Sequence, residues 1–272
     1  MYRRLVPAFF LPLLFVSLVF AQADSPVKKN RVIFMGMIHS NHVGSEKFGL
    51  DKVRDLIRDI KPDAVFCEIP PDRIDEANRQ YKESGKITES RVKVFPEYVD
   101  VLYPLTKEMD FKMYPCAGWT KPMADARRKK MKELSETHAD EYAEMTAAQK
   151  KLEEAVEAKG GRDNPEFIHT DEYDALVKKG LEPYDKHFND ALGAGGWTNI
   201  NKAHYGLVEK NLDKLTGQGQ TILIMFGAWH KSWFMDPLRL RDDIELINLN
   251  EFLSKSDNAA GSGKSSAGQG SD

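Results

Sequence analysis

Two hydrophobic patterns alternate along the chain. Short runs of consecutive apolar residues are typical of strands that are buried on both faces of a sheet. Such runs predict four strands and a weaker fifth, at residues 31–35, 64–69, 111–114, 221–226 and 244–249. We therefore expect a sheet whose strands are covered on both sides.

Between these runs, apolar residues recur at the spacing of one helix face. The clearest helix is predicted over residues 50–60, where Lys61-Pro62-Asp63 ends it before the second strand. Further helices are predicted over residues 96–108 and 202–215. The first helix joins the first two strands into a βαβ unit, so these two strands are predicted to form a parallel pair.

The alternation predicts an α/β fold with a mostly parallel central sheet flanked by helices, and a site at the carboxyl ends of the strands. Residues 121–187, between the third and fourth motif strands, interrupt it with a heavily charged segment. Breaks at Gly160-Gly161 and Asn164-Pro165 predict a helical hairpin over the edge of the sheet, either a lid or a solvated arm without a catalytic role. Its thin apolar stripe comprises Met131, Leu134, Tyr142, Met145, Leu152 and Val156.

The amino terminus has the pattern of a cleavable secretory signal. Arg3 and Arg4 precede an apolar run over residues 5–20, which the small-x-small sequence Ala21-Gln22-Ala23 follows. This predicts a signal peptide over residues 1–23, cleaved after Ala23, because the run is shorter than the roughly 20 residues of a spanning helix. We expect a secreted or periplasmic protein without a stable membrane span.

Composition and charge narrow the classes of protein. Of 272 residues, 41% are hydrophobic and 30% are charged, which excludes a collagen, a coiled-coil rod and a multispanning membrane protein. A formal net charge of −3 gives no overall attraction to nucleic acid, so nucleic-acid binding is not expected. Residues 254–272 are rich in Ser, Gly and Ala and predict a disordered tail. One α/β domain with its insertion remains, at residues 24–253.

The sequence Gly-x-x-His occurs twice, each time after a predicted buried strand: Gly36-Met37-Ile38-His39 and Gly227-Ala228-Trp229-His230. A glycine at the end of a strand lets a ligand or another segment approach closely, and the histidine would lie at the carboxyl edge of the sheet. A lone histidine there is more often structural than a ligand. The matched pair favours a functional site that contains both histidines.

Glu68 lies near the carboxyl end of the second predicted strand, which is otherwise apolar. A buried carboxylate needs a cation, an imidazolium or a metal ion as its partner, and a salt bridge to Arg73 is the structural alternative. His39, Glu68 and His230 suit either a divalent metal ion with an activatable water or a metal-free general base. His42 is either a further ligand or a loop residue.

These motifs resemble the TIKI/TraB/GumN superfamily, whose wider fold relatives include the erythromycin esterases and the ChaN haem-binding lipoproteins. The resemblance covers residues 31–250 and is carried by both Gly-x-x-His sequences and by Glu68-Ile69-Pro70. It implies a sheet flanked by helices, with the two motif histidines and Glu68 in the active site. TIKI-like members are metal-dependent proteases, whereas the esterase relatives use a histidine base without metal, so the cofactor stays open.

The chain departs from this family in one place. Members commonly carry an Arg-Asn pair at the entry to the helix before the last motif strand, but residues 198–204 read Thr-Asn-Ile-Asn-Lys-Ala-His. Asn201 or His204 could serve a related polar role, or could belong to ordinary helix capping. The missing arginine and the charged insertion make a catalytically silent interaction protein an alternative.

The two cysteines, Cys67 and Cys116, lie near the carboxyl ends of the second and third predicted strands. In an oxidising compartment they could form a disulfide. Two buried free thiols are an equal alternative, because cysteine is among the most buried residue types.

These features predict an extracytoplasmic hydrolase in which His39, Glu68 and His230 hold or activate a water that attacks an amide (peptide) or ester bond. A divalent metal ion is the expected cofactor, and the sequence does not distinguish Mn, Co and Zn. The alternative from another class is a ligand-binding protein on the same fold, for instance a haem binder with a His or Tyr axial ligand.

Overall fold

The structure is a computed structural model that describes residues 28–254. The predicted signal peptide at residues 1–23 lies outside the described residues, and so does the predicted tail apart from Ser254. Within the described part of the chain, no helix is both long and apolar enough to cross a membrane.

The described residues form five strands: β1 (Asn30–Met37), β2 (Ala64–Cys67), β3 (Lys112–Pro115), β4 (Thr221–Gly227) and β5 (Ile244–Ile247). All five are parallel and form a single sheet in the order β3-β2-β4-β1-β5. Helices flank this sheet, which confirms the predicted α/β fold.

The prediction that the first two strands pair directly is wrong, because β4 lies between them. Leu223 of β4 is in register with Ile33 of β1 on one side and with Val65 of β2 on the other. The helix between β1 and β2 therefore crosses over the position that β4 fills. This order brings the two Gly-x-x-His segments onto neighbouring strands.

Successive residues of each strand point to opposite sides of the sheet. Because consecutive strand residues are apolar here, both faces of the sheet are apolar. Ile33, Val65 and Leu223 belong to the core on one face. Phe34 and Ile224 belong to the core on the other face. This double burial explains why the strands read as continuous apolar runs.

The α-helices outside the insertion are α1 (Leu50–Ile60), α2 (Ile74–Ser84), α3 (Tyr103–Leu105), α8 (Trp197–Leu215) and α9 (Ala228–Arg239). They differ from the prediction in three ways. Helix α2 was not predicted. The helix predicted over residues 96–108 is instead a π-helix, Glu97–Leu102, that continues into α3. Helix α8 begins five residues before the predicted start.

The insertion is helical and packs against the domain instead of extending into solvent. Its helices are α4 (Lys121–Thr137), α5 (Ala139–Glu157), α6 (Pro165–Ile168) and α7 (Asp171–Phe188). In the predicted stripe, Leu134, Met145, Leu152 and Val156 are buried in the same core as residues of the sheet. Because α5 and α7 pack closely, a methyl group at Gly180 would lie 2.7 Å from Cβ of Leu152.

Candidate functional site

The sheet order brings His39, Glu68 and His230 together at its carboxyl edge. Nε2 of His39 lies 3.8 Å from Oε2 of Glu68, and Nε2 of His230 lies 3.8 Å from Oε1 of the same carboxylate. Glu68 follows β2, His39 follows β1, and His230 lies in the first turn of α9, directly after β4. Each imidazole therefore faces a different oxygen of a single carboxylate.

Glu68 is held by the backbone around it. The N–H of Gly227 donates a hydrogen bond to Oε2 of Glu68 at 2.8 Å. The N–H of Glu68 donates to the hydroxyl of Tyr98, which in turn donates to the carbonyl of Met225. The Glu68 side chain is buried, and these bonds fix both its backbone and one of its oxygens.

His39 has an unusual backbone and a buried carboxylate as its partner. Its φ of 52° lies in the left-handed region, which is costly for a residue with a side chain and concentrates at functional sites. Nδ1 of His39 lies 2.7 Å from Oε1 of Glu97, whose side chain is 0% exposed. Burial lowers the pKa of His39, but the hydrogen bond to Glu97 and the charges of Glu68 and Glu97 outweigh it, so the pKa is raised.

His230 is fixed in one tautomer. Nδ1 of His230 donates to Oδ1 of Asn201 at 2.7 Å, and the Asn201 amide donates to the carbonyl of Trp197, which identifies its oxygen. The lone pair of His230 is therefore on Nε2, the atom that faces Glu68. The Trp197 ring stacks on His230 at 5.1 Å between centroids. Burial lowers the pKa of His230 to about 3, although Glu68 acts in the opposite direction.

His204 lies beside His230, with 5.0 Å between ring centroids. Glu68, His204 and His230 each offer one ligand atom within 4.8 Å of the others, so this group could hold a metal ion. Nδ1 of His204 accepts a hydrogen bond from the N–H of Gly118 at 2.7 Å. Burial lowers the pKa of His204 to about 3, so the ring is neutral near pH 7.

The polar groups predicted at residues 198–204 do not cap a helix. Asn201 and His204 lie inside α8, whose N-cap is Gly196, and both side chains are fully buried. Asn201 orients His230, and His204 completes the group around Glu68. The predicted helix over residues 202–215 starts too late, because its first turn begins at Trp197.

Both motif glycines are sites of close approach. A methyl group at Gly227 would lie 2.8 Å from Nε2 of His39 and 3.6 Å from Oε2 of Glu68. A methyl group at Gly36 would lie 3.1 Å from Cα and Cβ of Ala228. The missing side chain at Gly227 therefore leaves room for the His39 ring and the Glu68 carboxylate. The missing side chain at Gly36 lets β1 pack against the start of α9.

His42, considered as a further ligand or as a loop residue, lies in a short 3-10 helix, His39–Val43, where the backbone holds its ring. Its Nε2 accepts a hydrogen bond from the N–H of Ile38 at 3.0 Å, and its Nδ1 donates to the carbonyl of Phe48 at 2.6 Å. Both ring nitrogens are thus committed to the backbone. His42 fixes the turn that presents His39.

The cysteines are free buried thiols, so the disulfide alternative is wrong. Cys67 belongs to the core on one face of the sheet and Cys116 to the core on the other. Burial raises the pKa of both thiols. Neither sulfur belongs to the group that could hold a metal ion.

Glu97 is a site residue that the sequence pattern did not indicate. The only sequence signal was an acidic residue directly after Pro96, in a predicted helix that also contains Asp100, Lys107 and Glu108. One of its oxygens, Oε2, is buried and has no hydrogen-bond partner among the described residues. Such a carboxylate is costly to bury without a cationic partner, and His39 is the partner in contact with it.

A cleft of about 580 Å³ opens onto the two motif histidines. The insertion forms one wall through Leu152, Val156 and Tyr173. Trp197 and Trp229 also line the cleft. The cleft is large enough for a small ligand or a few residues of a peptide, and its walls are mainly apolar.

Comparisons with protein-family models, with curated proteins and with solved structures found no match for this chain.

Proposed function

We propose that this protein is an extracytoplasmic hydrolase that cleaves an amide (peptide) or ester bond with a water activated by His39, Glu68 and His230. The cleft above these residues receives the substrate. The resemblance of the two Gly-x-x-His sequences and Glu68 to the TIKI/TraB/GumN superfamily supports the same proposal. The signal-like pattern at residues 1–23 supports its location outside the cytoplasm.

One observation carries the proposal. Two imidazoles, each anchored through Nδ1 by a buried oxygen, direct Nε2 at opposite oxygens of Glu68. Anchoring of the distal nitrogen is how proteins orient both metal-binding and base histidines. A structural salt bridge would not require two histidines of fixed tautomer on one carboxylate below an open cleft.

The types of donor atom suit a divalent ion. His39 and His230 can each offer the lone pair of Nε2, and Glu68 offers carboxylate oxygens, a donor set that zinc, cobalt and manganese accept. Among the described residues, the group whose ligand atoms lie within 4.8 Å of one another contains His204 with Glu68 and His230, and does not include His39. A bound ion would lower the pKa of a water and polarise the carbonyl of the substrate. Glu97 and Asn201 would keep the two rings in the orientation that binding requires.

The protein contributes orientation and exclusion of bulk water. Glu68 is buried, His230 is 14% exposed, and His39 is about one-third exposed; both histidines line the cleft. Apolar walls around polar atoms strengthen their electrostatic effect on a bound carbonyl. The substrate is therefore expected to place its reacting carbonyl next to His39.

Metal content and turnover test the proposal together. The mature chain, purified without chelator, is analysed by elemental mass spectrometry and assayed with fluorogenic peptides and p-nitrophenyl esters after addition of Mn²⁺, Co²⁺ or Zn²⁺. Variants His39→Ala, Glu68→Gln and His230→Ala are expected to lose turnover by at least about 100-fold while staying folded by near-ultraviolet circular dichroism. His138→Ala, an exposed histidine of the insertion, is the matched control and should keep full activity.

Two results would overturn parts of the proposal. Full turnover in all three site variants would remove the assigned site. If the wild type turns over substrate without metal and the three variants do not, the protein is still a hydrolase, but a histidine base and not a metal ion activates the water.

A further inference from the structure

The tautomer of His204 is set by a backbone donor. Because the N–H of Gly118 donates to Nδ1 of His204, the lone pair of Nδ1 is engaged, and a neutral ring carries its proton on Nε2. The contact is firmly held, since Gly118 packs so tightly on α8 that a methyl group there would lie 2.6 Å from Cβ of Ala203. His204 therefore presents an N–H donor to its neighbours and not a lone pair.

This Nε2 donor is buried and has no acceptor among residues 28–254. The His204 side chain is fully buried, and nearly all buried donors in proteins have a partner. Such a donor indicates that the site takes up an additional acceptor atom. Glu68 and His230 lie close to it, and each offers a polar atom within 4.8 Å of a ring nitrogen of His204.

The hydrogen-bonding capacities of the three residues are complementary to those of water. Oε1 of Glu68 is an acceptor, and Nε2 of His230 is an acceptor because Asn201 holds the proton of Nδ1. His204 provides one donor. A water molecule accepts from one donor and donates to two acceptors, whereas a metal ion needs lone pairs from all three residues.

We propose that His204 is a hydrogen-bond donor that fixes a water molecule between Glu68 and His230, and that it is not a metal ligand. The acceptor is a water and not an oxygen of the substrate, because His204 is fully buried and does not line the cleft. A water held in this way lies between the carboxylate and the imidazole of the proposed site. Its role as the attacking water rests on the proposed function, but its binding does not.

Nuclear magnetic resonance tests the tautomer and the water directly. In the mature chain labelled with ¹⁵N-histidine, long-range ¹H–¹⁵N correlation spectra are expected to show His204 with a proton on Nε2 and none on Nδ1. The Nε2 proton should show a cross-peak to a long-lived water in a rotating-frame Overhauser experiment. On titration with Zn²⁺, this proton should remain while the Nε2 signals of His39 and His230 shift. Loss of the His204 Nε2 proton on addition of Zn²⁺ would overturn the inference.

Two substitutions at His204 distinguish a hydrogen-bond donor from a metal ligand at this position. Glutamine can accept from Gly118 with its oxygen and donate with its amide. His204→Gln, labelled with ¹⁵N-glutamine, should therefore show a cross-peak from its side-chain amide protons to a long-lived water and should bind Zn²⁺ within about 3-fold of the wild type. Leucine offers no ligand atom, so His204→Leu should show a similarly small change in Zn²⁺ affinity. A loss of affinity of about 100-fold, as expected for removal of a ligand such as His230, would contradict the proposal.

The spectra of the wild-type protein decide the inference even where the leucine variant fails to fold. They also separate it from the proposed function. If the protein turns over no peptide or ester but His204 keeps its Nε2 proton and its water, the hydrolase proposal fails and the water site stands. If the protein turns over substrate but the His204 proton is on Nδ1, the hydrolase proposal stands and the water site fails.

Discussion

Gly227 and Gly36 occupy equivalent positions in the two Gly-x-x-His sequences, but a methyl group would meet different atoms at each. At Gly227 it would meet Nε2 of His39, and displacement of this ring would disturb its hydrogen bond to Glu97. Gly227→Ala is therefore expected to abolish Zn²⁺ binding and turnover while the chain stays folded. Calorimetric Zn²⁺ titration and urea denaturation measure the two effects.

Gly36→Ala is the matched comparison. Its methyl group would press on the backbone of Ala228, which can move only if α9 moves. We expect the variant to lose about 1–3 kcal/mol of unfolding free energy. Equal behaviour of the two alanine variants, in stability and in Zn²⁺ binding, would contradict the different roles assigned to the glycines.

His169 is a buried neutral histidine that couples stability to pH. Its Nδ1 donates to the carbonyl of Pro165 at 2.6 Å, and its Nε2 accepts from the N–H of Gly36 at 2.8 Å. Burial, aided by Lys231, lowers the pKa of His169 from 6.5 to about 3. Between these values the unfolded chain binds more protons than the folded one, so stability falls as the pH falls below 6.5.

We predict that His169 alone removes about 2 kcal/mol of unfolding free energy between about pH 7.5 and pH 5. Urea denaturation of the wild type and of His169→Gln over this range checks it, because glutamine can accept the Gly36 bond without a charge change. The wild type should lose more stability on acidification than the variant. Identical pH dependences would show that His169 does not contribute.

The motif histidines and Glu68 could be identified from sequence because each stands out from an apolar strand or follows it directly. Glu97 could not, since its partner His39 is 58 residues away and a lone acidic residue in a helix is ordinary. The tautomers of His204 and His230 could not be predicted from the sequence either. They depend on Gly118 and Asn201, which reach these rings only in the folded chain.

At the scale of elements, the helix around Glu97 shows how a correct pattern still missed a functional detail. The apolar spacing predicted a helix over residues 96–108, but six residues near its start form a π-helix, Glu97–Leu102. Such short wide turns are frequent at functional sites because they shift side chains out of the regular α-helical register. Here the π-helix carries both Glu97 and Tyr98 to the groups they bind.

The insertion is tied to the helix that carries His230 by a buried ion pair. Lys231 of α9 and Asp174 of α7 are 2.6 Å apart, and their side chains are only 4% and 8% exposed. Removing one partner leaves an uncompensated buried charge. Lys231→Met is therefore expected to cost about 3–5 kcal/mol of unfolding free energy, measured by urea denaturation.

The same two helices provide a control. Lys178 of α7 and Asp236 of α9 form an exposed ion pair at 2.7 Å, so Lys178→Ala should cost less than about 1 kcal/mol. In the double variant Lys231→Met/Asp174→Leu, removal of both charges should restore most of the lost stability. If the double variant is as unstable as Lys231→Met, the cost comes from packing and not from the unpaired carboxylate.

At the scale of the whole molecule, the site exists because β4 is placed between β1 and β2. Hydrophobic patterns are local and identify strands one at a time, which is why all five strands were predicted to within a few residues. Strand order depends on contacts between segments far apart in the chain, so the pattern could not reveal it. The pairing of Leu223 with Ile33 and with Val65 is what brings His39, Glu68 and His230 into one group.

Because the site assembles from segments that lie far apart in the sequence, a bound ion is expected to stabilise the entire fold. An ion that binds only the folded state adds about 2.7 kcal/mol at a free concentration 100 times its dissociation constant. For a domain of this size that corresponds to an increase in Tm of about 5–10 °C. Scanning calorimetry with and without Zn²⁺ should show this increase, and a chelator should reverse it. His39→Ala/His230→Ala should show no increase and His138→Ala the full one. An equal increase in the double variant would place the ion elsewhere, because its binding would then be independent of the carboxyl edge of the sheet.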